Sequence, residues 1–101
     1  MNIQFNYQHV SGSERLEEFT KEKLQKVFDR YSWVTRADVF YTAEKTSSVE
    51  SGMKVGIRLS APGPRLFAEE SQSTFMKSVA QVADQLLKQC EQRKSELNNH
   101  L

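Results

Sequence analysis

The sequence has little of several features that mark common protein classes. A single cysteine in 101 residues excludes an internal disulfide framework and a cysteine-rich zinc site. The 14 Lys+Arg nearly balance the 13 Asp+Glu, which excludes a highly basic nucleic-acid-binding chain and an acidic tail protein. Apolar runs reach only a few residues, so no segment is predicted to span a membrane.

The N-terminal segment also lacks the pattern of a secretory signal. Polar and apolar residues alternate over residues 1–10, with no charged start followed by an apolar block. The length fits one domain, and a hydrophobic content of 38% is enough to build a core. We therefore expect residues 1–101 to form one soluble domain in the reducing cytoplasm.

Four segments alternate apolar and polar residues with the period of a β-strand. The first contains Ile3, Phe5 and Tyr7, and the others cover residues 34–41, 53–59 and 66–69. The prolines and glycine of residues 61–64 predict a tight turn between the last two strands.

Two segments carry apolar residues at helical spacing. The first covers residues 15–31, with Ser11 or Ser13 as the predicted N-cap. Its buried face is predicted to hold Leu16, Phe19, Thr20, Leu24, Val27, Phe28 and Tyr31. The second begins at Phe75 after a polar capping segment, residues 71–74, and continues through Leu97.

The predicted element order is β-α-β-β-β-α, which indicates an α+β fold. The first strand reaches the second through a helix, so these two strands should be parallel. Short loops join the last three strands, which should form an antiparallel meander. Because each helix has one main apolar face, both should pack on the same face of a four-stranded sheet, giving a two-layer sandwich.

Basic residues of the first helix gather on one flank of its apolar face. Lys23, Lys26 and Arg30 are spaced i, i+3, i+7, so their charged groups point the same way, and Arg15 falls on the same flank. This pattern predicts a local basic stripe on a nearly neutral protein. The alternative is an ordinary solvated face laced with i,i+4 ion pairs.

The last helix is predicted to be longer than the strands beneath it. About 25 residues at roughly 1.5 Å each exceed the reach of a strand of about seven residues, so the helix should overhang the sheet. The overhang holds Lys88, Arg93 and Lys94, beside an apolar edge predicted from Cys90 and Leu97. The alternative is the common placement of cations at a helix C-terminus.

No set of residues marks a catalytic or metal site. His9 and His100 are far apart and show no metal-ligand spacing, and Cys90 is predicted to be a small core residue. Glu69 and Glu70 are adjacent on a strand, so their side chains should point to opposite faces. We therefore expect no enzyme activity, no cofactor and no metal.

The element order and two segments resemble a known family. These segments are Glu22-Lys23-Leu24-Gln25-Lys26 in the first helix and Leu66-Phe67-Ala68-Glu69-Glu70-Ser71 after the hairpin. The chain resembles the ribosome hibernation factors, which include the ribosome-associated inhibitor A and hibernation promoting proteins and are also described as sigma-54 modulation proteins. Almost the whole chain takes part in the resemblance, and its length matches the short form.

The resemblance implies a protein that binds the small ribosomal subunit, contacting 16S ribosomal RNA and neighbouring ribosomal proteins. Such proteins occupy the channel for messenger RNA and transfer RNA and block translation in starved or stationary cells. By position, Lys23 and Lys26 match basic sites of the family in the first helix, and Lys88, Arg93 and Lys94 match basic sites in the last helix. Several usual basic positions are glutamines here, and fewer phosphate contacts predict weaker binding.

The alternative hypothesis is that the same scaffold serves as a diverged module for protein interaction or transcription modulation. The formal net charge of +1 gives copies of the chain little reason to repel each other, so a homodimer is compatible with the sequence. The salt dependence of binding distinguishes the two functional hypotheses. RNA binding weakens steeply as salt rises, whereas an apolar interface barely responds.

Overall fold

The computed structural model describes residues 2–98 and confirms the predicted order of elements. The residue His100, considered above as a ligand, lies outside the described residues. The elements in chain order are β1 (Ile3–Gln8), α1 (Glu14–Arg30), β2 (Arg36–Ala43), β3 (Met53–Ser60), β4 (Leu66–Gln72) and α2 (Phe75–Asn98).

The four strands form one sheet in the order β1-β2-β3-β4. β1 pairs with β2 in parallel, with Ile3 opposite Ala37, because α1 carries the chain back between them. The pairs β2–β3 and β3–β4 are antiparallel. Gly63, in the turn between β3 and β4, has a φ of 88°, a left-handed conformation that glycine adopts without strain.

The core lies between the sheet and the two helices. Inward-facing residues of β2 and β3, such as Val39 and Ile57, are completely buried, and so are Leu24 of α1 and Leu86 of α2. Two inward polar groups satisfy each other, since the hydroxyls of Thr20 and Tyr41 are 2.5 Å apart. Both helices therefore cover one face of the sheet, as the sequence predicts.

The two helices run in the same direction. Near their starts, Thr20 of α1 and Phe75 of α2 both contact Tyr41 of the sheet. Beyond the end of α1, the Tyr31 hydroxyl donates a hydrogen bond of 2.7 Å to a carboxylate oxygen of Glu91 on α2. Residues in the second half of α1 consequently lie beside the second half of α2.

The structure selects one of the two predicted N-caps of α1 and extends β4 beyond its predicted end. The N-cap of α1 is Ser13, whose hydroxyl accepts a hydrogen bond from the backbone N–H of Leu16. β4 continues through Ser71 and Gln72, so the prediction of residues 71–74 as a cap was wrong for its first half. Thr74 does act at the start of α2, since its hydroxyl accepts from the backbone N–H of Lys77.

Within residues 2–98, every helix is too short or too polar to cross a membrane.

Candidate functional site

Lys23, Lys26 and Arg30, which we call the α1 basic flank, lie on the side of α1 that faces α2. Lys26 and Arg30 are exposed, and Lys23 is half-buried because its Nζ lies 5.4 Å from the centre of the Phe19 ring. Ion pairs among residues 2–98 involve other bases, namely Lys21, Arg36, Lys54, Arg58 and Arg93. The flank therefore keeps positive charges that no neighbouring carboxylate compensates by a direct ion pair.

A shallow groove runs along this side of α1 towards the start of α2. Phe19 and Met76 supply its apolar surface, and Arg15 and Lys26 lie at its rim. Glu18, Lys21, Glu22 and Gln25 also line the groove, so it carries both signs of charge. Arg15 was predicted on this flank, whereas Met76 of α2 extends the site beyond the residues that the sequence singles out.

The three basic residues of α2 take different positions. Lys88 and Lys94 are exposed. Lys94 falls about five helical turns after Met76, so it points to the same side as the groove. Because the helices are parallel, Lys88 and Lys94 lie at the end of the molecule where Arg30 ends α1. The structure thus gathers the α1 basic flank, Lys88 and Lys94 on the helix layer.

Arg93 is directed into the molecule instead. Its guanidinium donates a hydrogen bond of 2.6 Å to the carbonyl oxygen of Pro62 and pairs with Glu96 at 3.6 Å. Only 12% of the side chain is exposed. Arg93 lies past the core, as predicted. Its guanidinium, however, is hydrogen-bonded to the turn between β3 and β4.

The sequence predicts an apolar edge formed by Cys90 and Leu97. The prediction was wrong for Cys90. Cys90 is completely buried, whereas Leu97 is half-buried. Burial raises the pKa of the Cys90 thiol to about 11, so the reactive thiolate is scarce at neutral pH. Cys90 is a core residue, as the helical spacing predicts.

The face of the sheet opposite the helices carries a different surface, which the sequence did not single out. There Arg36 and Arg58 both pair with Asp38, and the Arg58 guanidinium lies 5.6 Å from the centre of the Phe40 ring. The Arg36 guanidinium holds the pKa of Asp38 below its ordinary value. Phe67 is 47% exposed on this face. On this face Arg36 and Arg58 share the single carboxylate of Asp38.

No cluster of three or more His, Cys, Asp or Glu with metal-binding geometry occurs within residues 2–98. The side chains of Glu69 and Glu70 lie on opposite faces of β4. Glu70 accepts hydrogen bonds from Gln72 and Gln85, whereas Glu69 is exposed on the face opposite the helices. What the site offers chemically is a set of exposed cations on a rigid two-helix surface.

Comparisons with known proteins agree with this architecture. A family model described as sigma 54 modulation protein / S30EA ribosomal protein matches residues 3–98. The chain therefore belongs to that family.

Two solved structures share the fold. A ribosomal subunit interface protein from Coxiella burnetii is 21% identical, with a TM-score of 0.79 over 94% of this chain and 99% of that one. The N-terminal domain of Protein Y from Thermus thermophilus is 16% identical, with a TM-score of 0.73 over 91% of this chain and 98% of that one. A search of curated protein sequences found no match.

Proposed function

We propose that this protein is a ribosome-binding translation inhibitor of the hibernation type. It binds the small ribosomal subunit in the cytoplasm of starved or stationary cells and needs neither catalysis nor a cofactor. The α1 basic flank, together with Lys88 and Lys94, contacts phosphates of 16S ribosomal RNA. The observation that carries the proposal is this group of exposed bases outside ion pairs on the helix layer, in a chain of this family.

The distribution of charge favours the helix layer as the RNA-facing side. Arg36, Arg58 and Lys54, on the opposite face, each lie within ion-pair distance of a carboxylate. A base that is already paired gains less from a phosphate than one whose charge is open to solvent. Contacts to phosphates position a protein on RNA without reading base sequence, which suits recognition of a folded RNA surface.

Arg93 acts in this proposal through the turn that it holds. Its guanidinium is hydrogen-bonded to Pro62, so we assign the phosphate contacts to the five exposed or half-exposed bases and not to Arg93. The resemblance to hibernation factors supports the channel for messenger RNA and transfer RNA as the binding location.

Charge reversal tests the assigned surface. The variant Lys23→Glu/Lys26→Glu should lose co-sedimentation with purified small subunits. The control Lys45→Glu/Lys54→Glu changes the net charge equally, away from the α1 basic flank, and should bind like the natural protein. Circular dichroism verifies that both variants are folded. Equal binding by all three proteins would contradict the assigned surface.

Competition tests the proposed channel. Small subunits loaded with messenger RNA and transfer RNA should bind the protein much more weakly than empty subunits. Undiminished binding to loaded subunits would contradict the channel location but leave ribosome binding itself in place.

The alternative function, a protein-interaction or transcription-modulating module, has one specific observation in its favour. Phe67 exposes an aromatic ring on a sheet face whose charges are paired, and such surfaces suit protein partners better than RNA. A protein that never sediments with ribosomes at low salt, but keeps a salt-insensitive protein partner, would support this alternative.

A further inference from the structure

The outer edge of β1 is an unprotected strand edge. The backbone N–H of Ala37 donates to the carbonyl of Asn2, and Ala37 is the register partner of Ile3. In a parallel pair this arrangement directs the N–H and C=O groups of Ile3 away from β2. The same alternation directs the backbone groups of Phe5 and Tyr7 to the free edge.

The side chains of this strand are also incompletely covered. Ile3, Phe5 and Tyr7 point towards the core side but are only half-buried, whereas Val39 and Tyr41 of the neighbouring strand are completely buried. A further strand beside β1 would cover the exposed flanks of these side chains and satisfy their backbone groups.

β1 lacks the charged residues and prolines that often block edge pairing. The strand Ile3–Gln8 has no charged residue and no proline. The other edge of the sheet is guarded. β4 carries Glu69 and Glu70, and the Gln89 side chain donates a 2.9 Å hydrogen bond to the Phe67 carbonyl. The two edges therefore differ in charge and in whether a side chain covers their backbone groups.

We propose that β1 pairs antiparallel with β1 of a second copy of this chain, forming a symmetric dimer with a continuous eight-stranded sheet. A two-fold axis at Phe5 places Phe5 opposite Phe5 of the partner and Ile3 opposite Tyr7 of the partner. Each pair exchanges both backbone hydrogen bonds. No charged residue of one strand meets a like charge of the other.

Two further features suit a second copy. The formal net charge of +1 produces little repulsion between copies. Beside the strand, the Lys21 Nζ lies 5.9 Å from the centre of the Phe5 ring, and a carboxylate oxygen of Glu18 lies 3.7 Å from this Nζ and partly compensates its charge.

The dimer is expected to be weak. A pairing of six-residue strands buries less than the roughly 1,200 Å² that stable interfaces need, so association should depend on concentration. An axis perpendicular to the sheet keeps the helices of both copies on the same face. Both basic helix layers then remain free for RNA.

Site-resolved amide exchange and sedimentation test the proposal together. As concentration rises over about two decades, the mass should double and the amides of Ile3, Phe5 and Tyr7 should become protected. The amides of Gln4 and Asn6 bond to β2 and should be protected throughout. A monomer at every concentration, or a dimer whose Phe5 amide stays unprotected, would overturn the proposal.

A charge-swap pair tests the register. Gln4 and Asn6 lie opposite each other across the proposed axis, on the face away from the helices. Gln4→Lys/Asn6→Lys should raise the dissociation constant about tenfold, and Gln4→Lys/Asn6→Glu should restore it. Both variants lose the same hydrogen bond from the Asn6 side chain to the Val39 carbonyl, so that loss cancels between them. Equal dissociation constants for the two variants would overturn the register.

Discussion

The guanidinium of Arg93 donates a 2.6 Å hydrogen bond to the carbonyl oxygen of Pro62, joining the end of α2 to the turn between β3 and β4. The guanidinium also packs closely against Gly63. A Cβ atom added to Gly63 would lie only 3.0 Å from the same guanidinium nitrogen. A cation at the end of a helix usually suggests a ligand contact or a helix-dipole effect. Here it holds two distant elements of the fold together.

Removing this contact should cost stability more than RNA affinity. Arg93→Ala is expected to lower the free energy of unfolding by about 1–2 kcal/mol, because a charged hydrogen bond to the turn is lost. Urea unfolding measures the stability, and sedimentation with small subunits measures the affinity. Lys94→Ala is the matched control and should show the reverse pattern. A larger affinity loss in Arg93→Ala than in Lys94→Ala would contradict the assignment.

Gly63→Ala should also destabilise the turn. The φ of 88° at Gly63 strains any residue with a Cβ, and that Cβ would crowd Arg93. We expect a loss of roughly 1 kcal/mol or more in the free energy of unfolding, measured in urea. An unchanged unfolding midpoint would mean that the turn and Arg93 rearrange freely.

Neutralising single bases should change the salt dependence of ribosome binding. Lys26→Ala and Arg30→Ala each remove one proposed phosphate contact, so the slope of log affinity against log salt should fall by about one unit each. Titrations at several salt concentrations measure the slope. Lys45→Ala serves as the control and should leave it unchanged. A loss of affinity without a change in slope would argue against phosphate contacts.

Burial of Tyr41 predicts sensitivity to alkali. Burial raises the pKa of Tyr41 well above its ordinary value of 10.0, so the folded protein keeps a proton that the unfolded chain releases. Stability is therefore unaffected below about pH 10 and falls above it, by at most about 1.4 kcal/mol per pH unit for this group. Tyr41→Phe should lessen the fall, as measured by urea unfolding at about pH 9 and 11. An identical fall in both proteins would contradict this cause.

Cys90 should react only when the protein unfolds. Its thiol is completely buried, and burial raises its pKa to about 11. A disulfide reagent added to the native protein at neutral pH should label it no faster than the chain unfolds, and urea should speed labelling. Rapid labelling of the folded protein would show that the region of α2 around Cys90 opens without global unfolding.

The sequence predicts the features that depend on the spacing of neighbouring residues in the chain. The alternation of Ile3, Phe5 and Tyr7 predicts β1, and the spacing of Lys23, Lys26 and Arg30 predicts one flank of α1. These properties depend only on the periods of strands and helices. The confirmed fold follows from the order of such elements.

What the sequence missed depends on contacts between distant residues. The local pattern places Ser71 in a polar cap, yet its hydroxyl accepts a hydrogen bond from the Gly52 N–H at 2.9 Å and donates one to Glu44, and β4 continues through it. Arg93 was placed beyond the core, but its Pro62 partner is far away in the chain. Neither partner leaves a signal in the local pattern.

Co-sedimentation with ribosomes tests the central proposal most directly. A stationary-phase lysate is separated on sucrose gradients at low and at physiological salt, and the protein is followed by antibody. The protein should migrate with small subunits or whole ribosomes at low salt, and this migration should weaken as salt rises and be lost in Lys23→Glu/Lys26→Glu. Migration only at the top of the gradient at both salt concentrations would contradict it.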